Sequence, residues 1–421
     1  MGARAGAGFG IALSLVLVAC SHSSGNATQP TPARPATSVS DAPSDTSRPD
    51  VAPGHASVPS RIDAAGVSTP HGRATTPPAS IPTDCSTDVT AALQAWIDGV
   101  PDGATMSLPA HACYRVEGTL KLAGRRDLLV DGHATTLEAK TQGRGGRIQI
   151  RSRSMLSIRN SRNVTVRDLV VRGANPHGGT SLAAYRPEFE AQHAFTLNGD
   201  DGVFLDRVSA FDVYGDFVYV GGGEGEPSRR ITVARSNFAR SGRQGISVTD
   251  ADNVLIVGND IGDVARSLFD LEPNRRSQRV RHIRIVANTT GPVRNYWLAN
   301  KGSGVNIGDV VVTGNVMRSA SGGLVFVFGP PIGKRGPFTF DSNVFRVSGD
   351  VTDEGTVGAF VFANAAGVTI RRNELHAPQG RQMPAVELRG TSNVVVSDNR
   401  FSGTAKTVIA DADSHDVRTS S

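Results

Sequence analysis

The sequence predicts an all-β fold, a parallel β-helix solenoid with a capping helix at its N-terminal end. The unit apolar-x-apolar-x-x-Asn-x-apolar recurs from residue 254 to residue 401, with asparagine spacings of 29, 27, 28, 30 and 26. Such a period indicates a repeat architecture and suits a coil of three short strands and three turns. Leucine-rich repeats, the nearest alternative by length, would need a Leu-x-x-Leu-x-Leu pattern that is absent. No 3.6-residue period runs through the repeats, which excludes helical solenoids.

The first twenty residues have the composition of a secretory signal. Arg4 precedes an apolar run over residues 9–19, and residues 17–20 read Leu-Val-Ala-Cys. The apolar run is too short to cross a bilayer as a helix. The tetrapeptide resembles the bacterial lipobox, which implies that Cys20 carries lipid; the alternative is an ordinary signal peptide with an incidental cysteine. We expect a protein of the bacterial cell envelope, lipid-anchored on the outer side of the cytoplasmic membrane.

Residues 21–83 are rich in Pro, Ser, Thr and Ala and contain almost no large apolar residues. Such a segment cannot bury enough apolar surface to fold, so we expect a disordered tether. The folded domain is predicted over residues 84–411, followed by a C-terminal tail over residues 412–421.

The folded domain is predicted to begin with a helix over residues 88–98. Its apolar residues, among them Leu93, Trp96 and Ile97, recur at helical spacing, with Asp88 as N-cap and Gly99 as the stop. A helix here would cover the open end of a solenoid. If Cys20 carries lipid, Cys85 and Cys113 remain, and export favours a disulfide between them.

The repeated asparagines predict a ladder along the solenoid. Equivalent residues of stacked coils lie about 4.8 Å apart, so an inward Asn can bond its own copy in the next coil. The predicted members are Asn259, Asn288, Asn315, Asn343, Asn373 and Asn399. We assign them a structural role, because buried polar groups must be paired.

Candidate site residues come from a second set of strands, aligned by their inward apolar pairs. The pairs are Phe195/Leu197, Val218/Val220, Ile246/Val248, Phe269/Leu271 and Trp297/Ala299. This register gathers polar, titratable and aromatic side chains on one outer face, as a glycan site requires. We predict Asp216, Arg243, Asp270 and Glu272 as catalytic and His193, Tyr219, Gln244, Tyr296 and Asn300 as substrate-binding.

The spacing of the carboxylates bears on the reaction. Asp216 and Asp270 are two coils apart, about 9–10 Å, whereas Asp270 and Glu272 are separated by about 6.5–7 Å along one strand. For a glycosidase these separations favour inversion of configuration. The alternatives are structural: Asp270 and Glu272 at a solvated strand end, Asp216 in a turn, and His193 as a buried structural histidine.

Residues 84–411 resemble the pectin-lyase-like superfamily of right-handed parallel β-helix proteins. The resemblance is carried by the helix with Ala91-Ala92-Leu93-Gln94, by the asparagine repeat, and by the segments around the candidate residues, such as Gly215-Asp216-Phe217-Val218-Tyr219 and Phe269-Asp270-Leu271-Glu272. It implies polysaccharide lyases, glycoside hydrolases, epimerases or non-catalytic relatives. Of the polygalacturonase motifs, only an isolated Asp200-Asp201 is present.

Two functions follow from the sequence. The first is an envelope-anchored enzyme, a glycoside hydrolase or polysaccharide lyase, that cleaves or modifies a glycan; the second is a non-catalytic glycan-binding or scaffolding protein. No metal site or cofactor is predicted, although a lyase similar to pectate lyases would use calcium. The formal net charge of +5 permits an anionic polysaccharide as partner. We expect a monomer that contacts the membrane only through its lipid and that binds no nucleic acid.

Overall fold

The computed structural model describes residues 72–143, 153–319, 321–329, 333, 335–348, 358–379, 383–404 and 406–420. All of them belong to one unit, Ala52–Ser421. The predicted signal peptide with Cys20, and residues 21–71 of the predicted tether, lie outside the described residues.

The chain winds through three faces of parallel strands, so the predicted all-β solenoid is confirmed. The first face contains Ala74–Thr75, Thr105–Ser107, Arg126–Glu138, Arg162–Arg172, Asp201–Asp206, Ser228–Ala234, Ala251–Val257, Arg279–Val286, Asn306–Thr313, Phe338–Asp341, Ala366–Arg371, Ser392–Ser397 and His415–Thr419. The second face contains Asp84–Asp88, Cys113–Arg115, the C-terminal parts of Arg126–Glu138 and Arg162–Arg172, Ser209–Val213, Asn237–Ser241, Asp260–Val264, Thr289–Thr290, Val316–Met317, Val344–Arg346, Glu374–His376 and Arg400–Ser402. The third face contains Leu120–Ala123, Leu156–Arg159, Phe195–Asn198, Val218–Gly221, Ile246–Val248, Phe269–Leu271, Val293–Asn300, Ser321–Phe328, Phe360–Ala363, Val386–Arg389 and Val408–Ala410.

The core lies between the three faces and is built from the alternating apolar residues. On the first face, Val203, Ile231, Val254 and Ile283 follow one another in register through successive coils, and all four side chains are fully buried. Strand alternation places every second side chain inward, and stacking in register makes each inward row continuous. The outward side chains are therefore free to carry a site.

The six asparagines of the repeat form one continuous hydrogen-bonded ladder at the turn between the first and second faces. Each Nδ2 except that of Asn399, the last, donates to the Oδ1 of the asparagine in the next coil at 2.8–3.0 Å. All six also donate to a backbone carbonyl of their own or the preceding coil. Each Oδ1 after the first also accepts a backbone N–H from the preceding asparagine, so these buried amides satisfy one another.

The N-terminal end of the solenoid carries helix α1, Thr90–Gly99, whose Leu93 and Ile97 join the core. The predicted disulfide is confirmed: Cys85 and Cys113 are bonded, with Cα atoms 5.0 Å apart, and join neighbouring strands of the second face. No described helix is long and apolar enough to cross a membrane.

Paired strands extend beyond both limits expected for the folded domain. Ala74–Thr75, placed by sequence in the tether, pairs with Thr105–Met106, and His415–Thr419, placed in the tail, pairs with Ser392–Val396. Both segments are polar and short, so their pairing depends on the edge strands of the solenoid rather than on an apolar pattern of their own.

Candidate functional site

A cleft on the outer side of the third face holds most of the predicted site residues. It encloses about 140 Å³ and spans the strands that begin at Phe195, Val218, Ile246 and Phe269. Its walls are formed by Glu190, Ala191, His193, Tyr219, Arg243, Ser247, Thr249, Asp270, Glu272 and Asn274. The register predicted for these four strands is the one observed, with Phe195, Val218, Ile246 and Phe269 in line.

A series of hydrogen bonds runs along the turn that precedes these strands. His193 Nδ1 accepts the Asp216 backbone N–H at 2.9 Å, Asp216 Oδ1 accepts that of Gln244 at 3.1 Å, and Gln244 Oε1 accepts that of Ser267 at 2.6 Å. We call these three side chains the turn acceptors. Gly215 allows the close approach, since a Cβ there would lie 2.7 Å from His193 Nδ1. The turn acceptors therefore have a structural role in addition to any role in the cleft.

His193 is buried and uncharged. Its Nδ1 accepts a hydrogen bond, so the proton of the neutral ring lies on Nε2. Burial lowers the pKa of His193 to about 4, although the Asp216 carboxylate acts in the opposite direction. The ring stacks on Tyr219, with centroids 5.0 Å apart. A histidine held neutral in this way is a weak base.

Arg243 and Asp216 form the ion pair at the base of the cleft. Arg243 Nη1 donates to both Asp216 oxygens at 3.0 and 2.8 Å, and the Asp216 side chain is completely buried. Burial by itself would lower the pKa of Arg243, but the Asp216 charge outweighs it and the pKa is raised. Arg243 therefore remains protonated, and its Nη1 is occupied by the Asp216 carboxylate.

Asp270 and Glu272 lie two residues apart at the end of the strand Phe269–Leu271 and differ in burial. Asp270 is 3% exposed, and its Oδ2 accepts a hydrogen bond from Gln244 Nε2 at 3.1 Å. Burial, reinforced by the charge of Glu272, raises the pKa of Asp270 well above its usual value. Glu272 is half-buried and lines the cleft. The cleft thus pairs a buried carboxyl group, whose neutral form is favoured, with a half-buried one.

One wall comes from the insertion before the strand that begins at Phe195, which sequence analysis did not use for the site. It contains the 3-10 helix Pro187–Phe189 and supplies Glu190, whose Oε2 accepts a hydrogen bond from Tyr185 at 2.9 Å and lies 3.9 Å from Arg243 Nε. Insertions that interrupt a repeat are where function concentrates, and that was the available signal.

Tyr296 and Asn300 do not line the cleft, contrary to the prediction. The inward partner of Phe269 is Leu298, not Trp297, because Val264 pairs with Val293 and the same offset continues to Phe269, one residue further than the predicted alignment. Asn300 is consequently buried, where it donates to the Leu271 carbonyl and accepts from Arg335 Nη1 at 2.8 Å. Tyr296 packs in a separate apolar cluster and stacks on Phe326.

A larger cavity of about 510 Å³ lies at the turn that follows the third-face strands, around Asp200 and Asp201. Asp200 accepts backbone N–H groups from Ser161 and Asn198, both at 2.8 Å, and Asp201 pairs with Arg230. Burial raises the pKa of Asp200 to about 7. Because these carboxylates are held by turn and ion-pair contacts, we place the site in the smaller cleft.

Within the described parts of the chain, one group of side chains has metal-ligand chemistry and spacing: Cys85, Cys113 and Glu138. Both cysteines are bonded to each other, so their thiolates cannot serve as ligands.

No family profile and no curated protein sequence matches the chain, but solved structures share its fold. A polygalacturonase from Erwinia carotovora ssp. carotovora superposes with a TM-score of 0.59 at 14% identity, over 87% of this chain and 100% of that one. DFA-IIIase from Arthrobacter chlorophenolicus A6, without its lid, gives 0.52 at 13% identity, over 83% and 94%. The Streptococcus pneumoniae surface adhesin PfbA gives 0.51 at 12%, over 77% and 89%. These structures show that the fold is a right-handed parallel β-helix.

Proposed function

Starting from a right-handed β-helix whose third face carries a carboxyl-lined cleft, we propose that this protein is a glycoside hydrolase that cleaves a polysaccharide by inversion. The observation that carries the proposal is the pair Asp270 and Glu272, two residues apart at the end of one strand: Asp270 is buried and has a raised pKa, whereas Glu272 is half-buried. Glycosidases use such a pair, one carboxyl group as acid and the other as base.

Asp270 is the general acid in this proposal. Its raised pKa keeps the proton available, and the Gln244 amide that donates to Oδ2 orients the carboxyl group. The proton passes to the glycosidic oxygen as the bond to the anomeric carbon breaks, and the sugar alcohol leaves. Asp270 is then ionised and is reprotonated from solvent.

Glu272 is the general base. It takes a proton from a water molecule whose oxygen bonds to the anomeric carbon on the face opposite the leaving group. Residues two apart in an extended chain have Cα atoms about 6.5–7 Å apart. Inversion requires the two carboxyl groups to keep a similar separation, about 6.5–9.5 Å rather than the 5–5.5 Å of retaining enzymes.

The ion pair argues against a lyase with an arginine base. Such a base must be neutral, whereas Arg243 is held protonated by bidentate contact with Asp216. His193 is a poor substitute because its Nδ1 is occupied and its pKa is low. In a hydrolase, Arg243 instead stabilises charge beside the acid. Calcium, which a lyase would use, has no part in this mechanism.

A second candidate is a non-catalytic glycan-binding protein. It is favoured by the turn acceptors, because His193, Asp216 and Gln244 are each explained by the backbone amides they bind. It predicts saturable binding of a glycan with no product formed.

The deciding experiment is turnover by the full-length protein on a panel of plant, host and cell-wall polysaccharides, with reducing ends and ultraviolet-absorbing unsaturated products measured separately. We expect reducing ends without unsaturation. Asp270→Asn and Glu272→Gln should each lower kcat by about 10²–10⁴-fold. Asp260→Asn, an exposed carboxylate that pairs with Arg318, is the matched control and should retain kcat. Unsaturated products, or full activity in Asp270→Asn, would rule out this mechanism.

We also propose that the protein is held at the envelope by lipid on Cys20. The support is the sequence Leu17-Val18-Ala19-Cys20 at the end of the apolar run, followed by a tether rich in proline and serine. Metabolic labelling with an alkyne fatty acid should mark the wild-type protein and leave Cys20→Ser unmarked and released into the soluble fraction. Equal labelling of the two would contradict lipidation at this residue.

A further inference from the structure

We infer that the cleft accepts an uncharged glycan and discriminates against polyuronates. The inference rests on the proposed function, since it names the substrate class of the same cleft. The net charge of +5 permits an anionic ligand, whereas we infer a neutral one. The reason is that carboxyl groups outnumber cations among the residues that line the cleft, unlike in the whole chain.

The permanent charges that line the cleft, counted over the described residues, are one cation and two anions. Arg243 is the cation, and Glu190 and Glu272 are the anions. His193 adds no positive charge, because burial lowers its pKa to about 4. Asp270 adds no negative charge while it retains the proton required of an acid. A ligand in the cleft therefore meets an excess of negative charge even before the residues beneath the surface are included.

The single cation is already neutralised. Arg243 Nη1 contacts both oxygens of Asp216, which lies completely buried below it, and Glu190 Oε2 approaches Arg243 Nε to 3.9 Å. With Asp216 included, the cleft has a formal charge of −2. A uronate would have to displace Asp216 from the guanidinium or bind beside it without a cation of its own.

Two neighbouring arginines do not supply the missing charge. Arg266 has its guanidinium over the ring of Tyr185, 4.9 Å from the centroid, and does not line the cleft. Arg335 is buried and donates to the carbonyls of Phe328, Gly302 and Gly304. Its Nη1 also donates to Asn300 Oδ1, and Arg335 is not among the residues that line the cleft.

The hydrogen-bonding groups that remain suit hydroxyl groups. Ser247 Oγ and Arg243 Nε are buried atoms of the cleft wall that form no hydrogen bond with the described residues. Together with the Glu190 and Glu272 carboxylates they offer both donors and acceptors, and a sugar hydroxyl can satisfy one of each. Buried unpartnered groups at a cleft wall are those that a ligand is expected to complete.

The experiment compares polyuronates with their carboxyl-reduced forms, so that each backbone is presented with and without charge. Binding to the full-length protein is measured by calorimetry at low and high salt for pectate, alginate and hyaluronan oligomers, their reduced counterparts, and neutral glucans, xylans and arabinans. We expect neutral or reduced forms to bind at least about tenfold more tightly than the matched uronates, with little salt dependence.

A charge-deletion variant tests the cause. Glu190→Gln should narrow the preference for the neutral form by about three- to tenfold, because it removes one of the two lining anions. Glu188→Gln is the matched control: it removes the same charge from the same insertion, two residues earlier, but Glu188 is exposed and pairs with Arg186. It should leave the ratio between neutral and charged ligands unchanged.

The outcomes separate this inference from the proposed function. Hydrolysis of a uronate polymer with tighter binding than its reduced form would overturn the inference and leave the hydrolase in place. Tighter binding of neutral forms without product would support the inference and remove the hydrolase. If the ratio of affinities for neutral and charged ligands is the same in Glu190→Gln and in the wild type, the electrostatic cause is overturned. If neither the polyuronates nor the neutral glycans bind, both proposals are overturned.

Discussion

Replacing Asn315 with alanine should destabilise the solenoid far more than the same change at Asn399. Asn315 is fully buried in the middle of the ladder. Its Nδ2 donates to Ile285 O and to Asn343 Oδ1 at 2.9 Å, and its Oδ1 accepts the backbone N–H of Asn288 at 3.0 Å and the Asn288 side chain at 2.9 Å. Alanine removes all of these contacts at once.

The magnitude follows from the groups left behind. The Asn288 N–H and the Ile285 carbonyl lose partners in a buried site, and each unpaired buried group costs about 1–3 kcal/mol, whereas Asn343 Oδ1 keeps the backbone N–H of residue 315. Allowing for local relaxation, we expect a loss of about 3–5 kcal/mol. Asn399 ends the ladder and is half-buried, so water can replace its contacts, and we expect about 1 kcal/mol there.

The assay is equilibrium unfolding in guanidinium chloride, followed by circular dichroism and by tryptophan fluorescence. Trp96 reports on helix α1, and Trp297 reports on the strand Val293–Asn300, between Asn288 and Asn315 of the ladder. The m-value should be unchanged if the same surface is exposed. Solenoid stability is a sum of coil and interface terms, so a transition that splits into steps would show as a lower m-value. Equal losses near 1 kcal/mol at both positions would refute the reasoning that unpaired buried groups set the cost.

Three further changes test the electrostatics and the N-terminal end. Burial lowers the pKa of His193 to about 4 from 6.5, so the unfolded chain binds the proton more readily than the folded one. The free energy of unfolding should therefore decrease by about 3 kcal/mol as the pH falls from 6.5 to 4. His193→Gln should remove this pH dependence from unfolding curves measured at each pH. Arg243→Met should cost about 3–5 kcal/mol by leaving Asp216 charged and unpaired, and adding Asp216→Asn should recover most of it. Cys113→Ser opens a loop that spans 28 residues and should lower stability by about 3 kcal/mol, a loss that reduction of the wild type should reproduce.

The regular part of the fold could be predicted because the repeat shows in the sequence which residues of successive coils lie in register. The asparagine spacing locates each coil, and alternation decides which side chains point inward. The same register correctly brings His193, Asp216, Arg243 and Asp270 to one face, because those coils contain no irregularity.

The remainder depended on contacts that do not repeat. Trp297, Leu298 and Ala299 are all compatible with an inward position, and the sequence does not show that Val264 pairs with Val293, the pairing whose offset places Leu298 opposite Phe269. Glu190 comes from an insertion that has no counterpart in other coils. The hydrogen bonds that His193, Asp216 and Gln244 accept from backbone amides could not be predicted either, since three different residue types give no common sequence pattern.

The turn acceptors also bear on how such a protein can change over generations. Along the asparagine ladder the coils are interchangeable parts, so a coil duplicated or lost beyond Asn315 would preserve every contact type. In the cleft, each of His193, Asp216 and Gln244 is matched to its own neighbour, and an added coil would separate Asp270 from the Gln244 amide that orients it. Length can therefore vary at the C-terminal end, whereas the four coils around the cleft must be inherited as a block.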